Sequence, residues 1–334
     1  MIIDETLLTA MLYPLKFRPR LKARVWGGDA LLSRKGAFLR RADKGRKIGE
    51  SWDISCMKGD ESVVSAGLLK GNNLRELVEV YMGDLTGEKL FDRFGEMFPL
   101  LVKTLDCRDR LSVQVHPGDA LAAERHDSFG KTEMWYILSA DEGASLYVGL
   151  RDGVTREEYL RAVSEGSLPS LLNRIDVARG DVLYIPAGTV HAIAGGVYMV
   201  EIQQSSDITY RIYDWDRTDD DGHPRELHTA LAVDAIDFDS PRNYKIDYRS
   251  VANQAVPLVS SPCFTVNLID VEGSAIRDRE GDTFAIYVCV GGSGVLHAGG
   301  FSETMAEGES VLVPADLPQV EFEGCGRFLE AFVE

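Results

Sequence analysis

The chain has 334 residues, of which 45% are hydrophobic and 27% charged, so it has enough apolar material for a folded core and predicts about two domains. Asp and Glu number 53 against 36 Lys and Arg, and the net charge of -17 argues against nucleic-acid or anionic-membrane partners. No run approaches the ~18 uncharged apolar residues of a membrane helix, and the first residues lack the basic segment of a secretory signal. We therefore expect a cytoplasmic protein.

Short β-type runs separated by glycine turns dominate the predicted secondary structure. They cover residues 111–116, 134–138, 182–185, 197–202, 284–290 and 310–313. Helical spacing of apolar residues appears at 73–82, 85–94 and 155–165, and the last of these opens with the capping box Thr155 and Glu158. The sequence therefore predicts a mainly β protein, a sandwich or barrel, with helical insertions at about 73–95 and 155–175.

An internal repeat divides the chain into two related β units. Residues 180–191 read G-x5-P-x-G-x2-H, and residues 308–319 read G-x5-P-x-D-x2-Q. The later copy has Gln319 where the earlier copy has His191, so at most the first unit binds a metal in this way. We place the boundary near residue 245, which gives domains of 1–245 and 246–334.

Four polar residues in or beside predicted strands have the types found in metal sites. Gln114 and His116 are two apart in a β run and therefore share one face, as do Lys131 and Glu133. His191 comes shortly after the predicted strand at 182–185, just past Pro186 and Gly188. Two imidazoles, a carboxylate and an amide oxygen suit zinc, or less well manganese or iron. Each residue also has a simpler interpretation, since a single strand histidine is usually structural and Glu133 could form a surface ion pair with Lys131.

Several motifs occur in an order that resembles one known family. They are QVHP at 114–117, GKTEMWYIL at 130–138, PAGTVHAI at 186–193 and EIQQSSDITYRIYDWDR at 201–217. Together they resemble the mannose-6-phosphate isomerase family in its shorter bacterial form, whose members are cupins. The resemblance implies a double cupin, with a catalytic cupin at 1–245 and a cupin-like domain lacking metal ligands at 246–334. It also implies one zinc ion per chain, bound by Gln114, His116, Glu133 and His191.

The reaction implied by the resemblance interconverts mannose 6-phosphate and fructose 6-phosphate through an enediolate. Glu201 is our first choice of base, and Lys131 with a lowered pKa, or a hydroxide on the metal, is the alternative. Arg211 and Lys131 are expected to stabilise the anionic intermediate, and with Lys103 to bind the substrate phosphate near the metal. Competing interpretations are an ion pair of Arg211 with Asp207, Asp214 or Asp216, a structural role for Lys103, and Glu201 as a buried partner of an arginine.

Two other functions remain open from the sequence. One is a non-catalytic cupin that binds a sugar phosphate or regulates carbohydrate use. The other is a different metal-dependent cupin enzyme, such as an oxygenase or a sugar-nucleotide epimerase, although Gln114 in the ligand set argues against iron-oxygen chemistry. The expected partner is a small sugar phosphate, with no nucleic acid and no membrane, and we expect a monomer.

Overall fold

The computed structural model of the chain describes residues 11–218, 222–239, 243–279 and 282–334. The first ten residues lie outside this range. They belong to the N-terminal segment for which we expect no secretory signal. Within the described ranges, no helix is both long and apolar enough to cross a membrane.

The described residues form a mainly β protein, which confirms the predicted fold class. The strands are β1 Phe17–Arg18, β2 Arg20–Gly28, β3 Ile48–Ile54, β4 Val63–Val64, β5 Leu100–Cys107, β6 Val113–Val115, β7 Glu133–Ala140, β8 Ser145–Leu150, β9 Leu172–Asp176, β10 Val182–Ile185, β11 His191–Ile193, β12 Val197–Gln204, β13 Tyr210–Tyr213, β14 Lys245–Ile246, β15 Ala255–Ser260, β16 Thr265–Asp278, β17 Ala285–Ala298, β18 Phe301–Ala306, β19 Ser310–Val313 and β20 Gln319–Phe332. The helices are α1 Ala30–Lys35, α2 Leu74–Thr86, α3 Glu88–Phe94, α4 Asp119–His126, α5 Arg156–Glu165 and α6 Thr229–Ala235. Short 3-10 helices cover Gly36–Phe38, Arg41–Asp43 and Leu168–Leu171.

The predicted helical segments at 73–82, 85–94 and 155–165 are present as α2, α3 and α5. The capping box at α5 is formed as expected, because the Thr155 side chain accepts from the Glu158 backbone N–H and the Glu158 carboxylate accepts from the Thr155 N–H. Helices α1, α4 and α6 were not predicted, since each has eight residues or fewer and too few turns for a periodic signal.

The chain folds into two compact units that interleave along the sequence. Unit 1 contains residues 11–20, Trp52–Val102 and Tyr248–Glu334 of the described chain, and unit 2 contains Leu21–Ser51 and Lys103–Asp247. Residues 52–102 thus belong to the same unit as the C-terminal segment. The division of the chain into domains of 1–245 and 246–334 stays a prediction.

Unit 2 consists of two sheets that pack face to face. The strand order is β14-β10-β7-β12-β5-β3-β2 in the larger sheet and β13-β6-β11-β8-β9 in the smaller one. Side chains from both sheets, among them Trp135, Ile137, Leu146 and Met199, form one buried apolar core. Strands β3 and β5 carry the chain across the boundary between the units.

Strand alternation in the smaller sheet separates the apolar and polar faces. Val113 and Val115 of β6 point outward into a second apolar cluster, where Tyr159 of α5 and Ala232 of α6 cover the sheet. Gln114 lies between the two valines and therefore points to the opposite face, between the two sheets. The helices cover the outer face, and the inner face carries Gln114 beside apolar side chains such as Leu146 and Val148.

The end of β2 needs two glycines because other backbone lies directly against it. A Cβ added to Gly27 would lie 2.5 Å from the Ile48 carbonyl carbon, and one on Gly28 would lie 2.6 Å from an Asp106 carboxylate oxygen. That carboxylate accepts a hydrogen bond of 2.7 Å from the Ala30 N–H at the start of α1. The end of β2 is thus a point of close packing in unit 2.

Unit 1 is built around one six-stranded sheet that contains β15 to β20. Its core includes Tyr287, Phe322 and Phe328. Gln319, which replaces the histidine in the later repeat, donates a hydrogen bond of 2.7 Å to Asp278 at the surface. In the part of the chain that the structure describes, His/Cys/Asp/Glu groups with the spacing of a metal site occur only in unit 2.

Candidate active site

The predicted site residues lie on the facing surfaces of the two sheets of unit 2. In the smaller sheet, Gln114 is the direct cross-strand partner of Arg211 on one side and of His191 on the other. Directly opposed residues in antiparallel strands share a face, so these three side chains form a row. In the larger sheet, β7 and β12 pair Glu133 with Gln203 by the same rule.

Three of the four predicted metal ligands meet at one buried point. The Nε2 atom of His116 lies 3.3 Å from Oε1 of Glu133, and Nε2 of His191 lies 3.8 Å from Oε2. The ligand atoms of these three residues all lie within 4.8 Å of one another. Gln114, the fourth predicted ligand, lies beside this group, with its amide nitrogen 3.1 Å from Nε2 of His191. Either end of an amide can face a neighbour, so its oxygen is available to a cation.

Backbone carbonyl groups fix the tautomer of both histidines. Nδ1 of His116 donates to the Ile208 carbonyl at 2.8 Å, and Nδ1 of His191 donates to the Thr189 carbonyl at 2.9 Å. Since a carbonyl only accepts, each Nδ1 carries the proton and each Nε2 presents a lone pair. Burial lowers the pKa of His116 to about 3 and also lowers the pKa of His191, so both rings are neutral at pH 7.

Glu133 supplies the negative charge of the cluster. Both carboxylate oxygens are buried. The Lys131 ammonium group forms an ion pair with Oε1 and also lies 3.1 Å from Nε2 of His116, whereas Oε2 has no hydrogen-bond partner within the described residues. Burial alone would raise the pKa of Glu133, but the charge of Lys131 outweighs it and holds that pKa well below its usual range.

This donor set fits a divalent cation. A buried carboxylate and two neutral imidazoles whose lone pairs face it are ligands that zinc prefers. His116, Glu133 and His191 can therefore hold a metal ion. Lys131 and Glu133 form an ion pair, as one of the simpler interpretations expected, but the pair is buried inside unit 2 instead of lying at the surface.

A second polar cluster lies beside the metal ligands and contains Lys103 and Glu201. The Lys103 ammonium donates to Oε1 of Glu201 at 2.9 Å and to Oε1 of Gln203 at 2.5 Å. The indole Nε1 of Trp135 donates to the other Glu201 oxygen at 3.0 Å, and its ring packs edge-on at 5.4 Å from the ring of His191. Both oxygens of Glu201 therefore accept hydrogen bonds from neighbouring residues.

Arg211 is half-buried and makes few contacts with its guanidinium group. Nη1 donates to the Glu226 carbonyl at 2.9 Å, and Nε is buried with no partner in the described part of the chain. Burial and the nearby charge of Arg225 lower the pKa of Arg211, although a guanidinium stays charged at any physiological pH. Asp214 binds Arg217 and Arg225, so the expected competing ion pair with Arg211 does not form.

Comparison with known proteins agrees with this geometry. Residues 14–141 match the model of the phosphomannose isomerase type I catalytic domain, and residues 256–333 match the mannose-6-phosphate isomerase cupin domain. Mannose-6-phosphate isomerase from Streptococcus mutans is 36% identical over 94% of this chain and 96% of its own length. The corresponding figures for mannose-6-phosphate isomerase ManA from Bacillus subtilis are 35%, 93% and 96%.

The chain belongs to the mannose-6-phosphate isomerase family. It is therefore an isomerase, and this membership argues against the non-catalytic cupin considered above. The crystal structure of the mannose 6-phosphate isomerase from Bacillus subtilis superposes with a TM-score of 0.85 at 33% identity, covering 96% of this chain and 99% of that one. The double-cupin fold expected from the resemblance is thus confirmed.

Two contributors to this site were not predicted as functional residues. Gln203 accepts a hydrogen bond from the Lys103 ammonium group, and Trp135 donates one to Glu201. A signal for Gln203 was present, because it lies two residues after Glu201 on a strand and so must share its face. The carbonyl groups of Thr189 and Ile208 had no signal, since every residue carries one.

Proposed function

We propose that this isomerase is zinc-dependent and interconverts mannose 6-phosphate and fructose 6-phosphate through an enediolate. The observation that carries the proposal is the arrangement around Glu133: two neutral imidazoles direct their Nε2 lone pairs at a buried carboxylate whose Oε2 has no hydrogen-bond partner among the described residues. The names of the relatives from Streptococcus mutans and Bacillus subtilis support the choice of substrate.

His116, Glu133 and His191 would hold the zinc ion, with Gln114 as the fourth ligand. When bound there, zinc supplies an electrophile for the oxygen atoms of the open-chain sugar. The four ligands come from both sheets, so the fold positions them before any substrate arrives. Because the Nδ1 hydrogen bonds already fix both imidazoles, binding the ion requires no ring to rotate.

The charges of the site suit a phosphorylated substrate. Two buried ammonium groups, Lys103 and Lys131, pair with the carboxylates of Glu201 and Glu133. Arg211 adds a cation to the row that contains Gln114 and His191. Arg211 is the best group for the phosphate or for the enediolate oxygen, because its Nε has no partner among the described residues and its planar fork matches oxyanions.

A proton must move between C1 and C2 of the sugar, and we propose Glu201 as the group that moves it. A carboxylate has about four lone-pair positions, so the bonds from Lys103 and Trp135 leave capacity for a substrate proton. Burial acts to lower the pKa of Lys131, but the charges of Glu133 and Glu201 outweigh it and raise that pKa. A raised pKa is the opposite of what a lysine base needs, so the contacts favour Glu201.

A coupled assay with mannose 6-phosphate tests the proposal. The purified protein is measured as isolated, after complete removal of metal by a chelator, and after zinc is restored. We expect turnover to disappear with the metal and to return with zinc, and the His116→Ala variant to lose bound zinc and turnover together. Turnover that survives complete metal removal would contradict the proposal. Tight binding of mannose 6-phosphate without turnover by the zinc-loaded protein would favour a binding function instead.

A further inference from the structure

Gln203 is fully buried, and each of its polar atoms has a defined partner. Its Oε1 accepts from the Lys103 ammonium at 2.5 Å, and its Nε2 donates to the carbonyl groups of Gln204 at 2.8 Å and Ser206 at 2.6 Å. An amide has two N–H donors, and both are used. Rotating the amide by half a turn would break all three hydrogen bonds, so the acceptor oxygen is held towards Lys103.

The two carbonyl groups that Gln203 binds belong to the bend that follows β12. Two residues after Ser206, the Ile208 carbonyl accepts the Nδ1 hydrogen bond that orients His116. The Gln203 side chain therefore reaches the imidazole through a short stretch of backbone. Lys103 lies on β5, the strand next to β12 in the larger sheet, so one amide group connects two elements of the site.

We propose that Gln203 is a positioning residue with two tasks. Its oxygen holds the Lys103 ammonium beside Glu201, and its nitrogen anchors the bend at residues 204–208 that orients His116. The second task rests on the proposed function, because it matters for zinc only if His116 is a ligand. Residues that hold a ligand's orientation typically contribute 10- to 100-fold to metal affinity or activity.

Two substitutions separate these tasks. Gln203→Leu removes the acceptor and both donors, whereas Gln203→Glu keeps an acceptor for Lys103 and removes the donors to the bend. Asn267→Leu is the matched control. Asn267 lies in unit 1 and donates an amide hydrogen bond of 2.8 Å to the buried carboxylate of Glu330. The Asn267→Leu variant therefore loses a comparable hydrogen bond outside the site.

The zinc affinity of each purified variant is measured by competition with a chromogenic chelator, alongside kcat and KM for mannose 6-phosphate. We expect both Gln203 variants to bind zinc about 10-fold more weakly or worse, and Asn267→Leu to match the wild type. Only Gln203→Leu should also change the kinetic constants of the fully zinc-loaded enzyme, because only that variant removes an acceptor of the Lys103 ammonium.

Wild-type zinc affinity in Gln203→Glu overturns the anchoring task, and this variant alone decides it if Gln203→Leu does not fold. Wild-type kinetic constants in zinc-saturated Gln203→Leu overturn the task of holding Lys103. If the wild-type protein binds no zinc, the proposed function itself is overturned. If the wild type binds zinc and the Gln203 variants bind it equally well, only the anchoring task of Gln203 is overturned.

Discussion

The substitution Arg211→Ala separates the catalytic contribution of this side chain from its contribution to folding. The structure gives the guanidinium group one hydrogen bond from Nη1, to the Glu226 carbonyl, and leaves Nε without a partner among the described residues. Losing one such bond costs about 1 kcal/mol of stability. If the group instead stabilises a developing oxyanion, its removal lowers kcat by about 100- to 1000-fold, which corresponds to about 3 to 4 kcal/mol.

The assay measures two quantities for zinc-loaded Arg211→Ala and for the wild type: kcat, and the free energy of unfolding in urea. Arg110→Ala is the control, since Arg110 is exposed in the same unit and stacks at 4.9 Å on the ring of Trp215. We expect the control to keep wild-type kcat. Added guanidinium should restore part of the turnover of Arg211→Ala, as it can occupy the vacated space. An Arg211→Ala variant with wild-type kcat would refute the assigned role.

Two further predictions concern stability. Burial acts to raise the pKa of Asp214, but hydrogen bonds from Arg225 and Arg217 hold it below its usual range, so this carboxylate stabilises the fold above pH ~4 and loses that contribution as pH falls further. Asp214→Asn should therefore cost about 2 kcal/mol of unfolding free energy at pH 7 and less at pH 3, and an equal loss at both would contradict this assignment. Met82 interrupts α2 with φ of 45° and ψ of -122°, a conformation that strains any residue except glycine. Met82→Gly should raise the unfolding free energy by about 1 kcal/mol, whereas Val80→Gly in the same helix should lower it by a similar amount. If urea unfolding shows the same loss of stability for both variants, Met82 is not strained.

Local sequence patterns were enough to select His116, Glu133 and His191, which the structure brings together, but not the network that holds them. Alternation along β6 put Gln114 and His116 on one face, and the structure agrees because Val113 and Val115 fill the opposite face. The row of Arg211, Gln114 and His191 depends on the register between strands that are far apart in sequence. That register is set by packing of the whole sheet and leaves no local pattern.

Local sequence patterns also could not predict that the two units interleave along the chain. Residues 52–102 carry helices with ordinary caps and amphipathic faces, and neither feature says which core they join. The structure gives the physical reason for their placement in unit 1. The carbonyl groups of Asp84 and Leu85, at the end of α2, accept from the backbone N–H groups of Asp316 and Ala315 beyond β19. The break at Met82 precedes these two carbonyl groups, which bind outside the helix.

The pairing of lysines with carboxylates explains how an acidic chain can keep cations in a buried site. A buried lysine without a partner tends to lose its proton, because burial penalises the charged form. Glu133 and Glu201 reverse that tendency at Lys131 and raise its pKa, so the ammonium group stays charged beside the metal ligands. The same two carboxylates are the proposed zinc ligand and the proposed base. Each therefore has a structural task that precedes catalysis, and a substitution at either one will remove a charge partner as well as a functional group. For this reason the loss of turnover in a Glu133 or Glu201 variant cannot by itself assign the base, whereas Arg211, which has no carboxylate partner in the described contacts, reports on the reaction more directly.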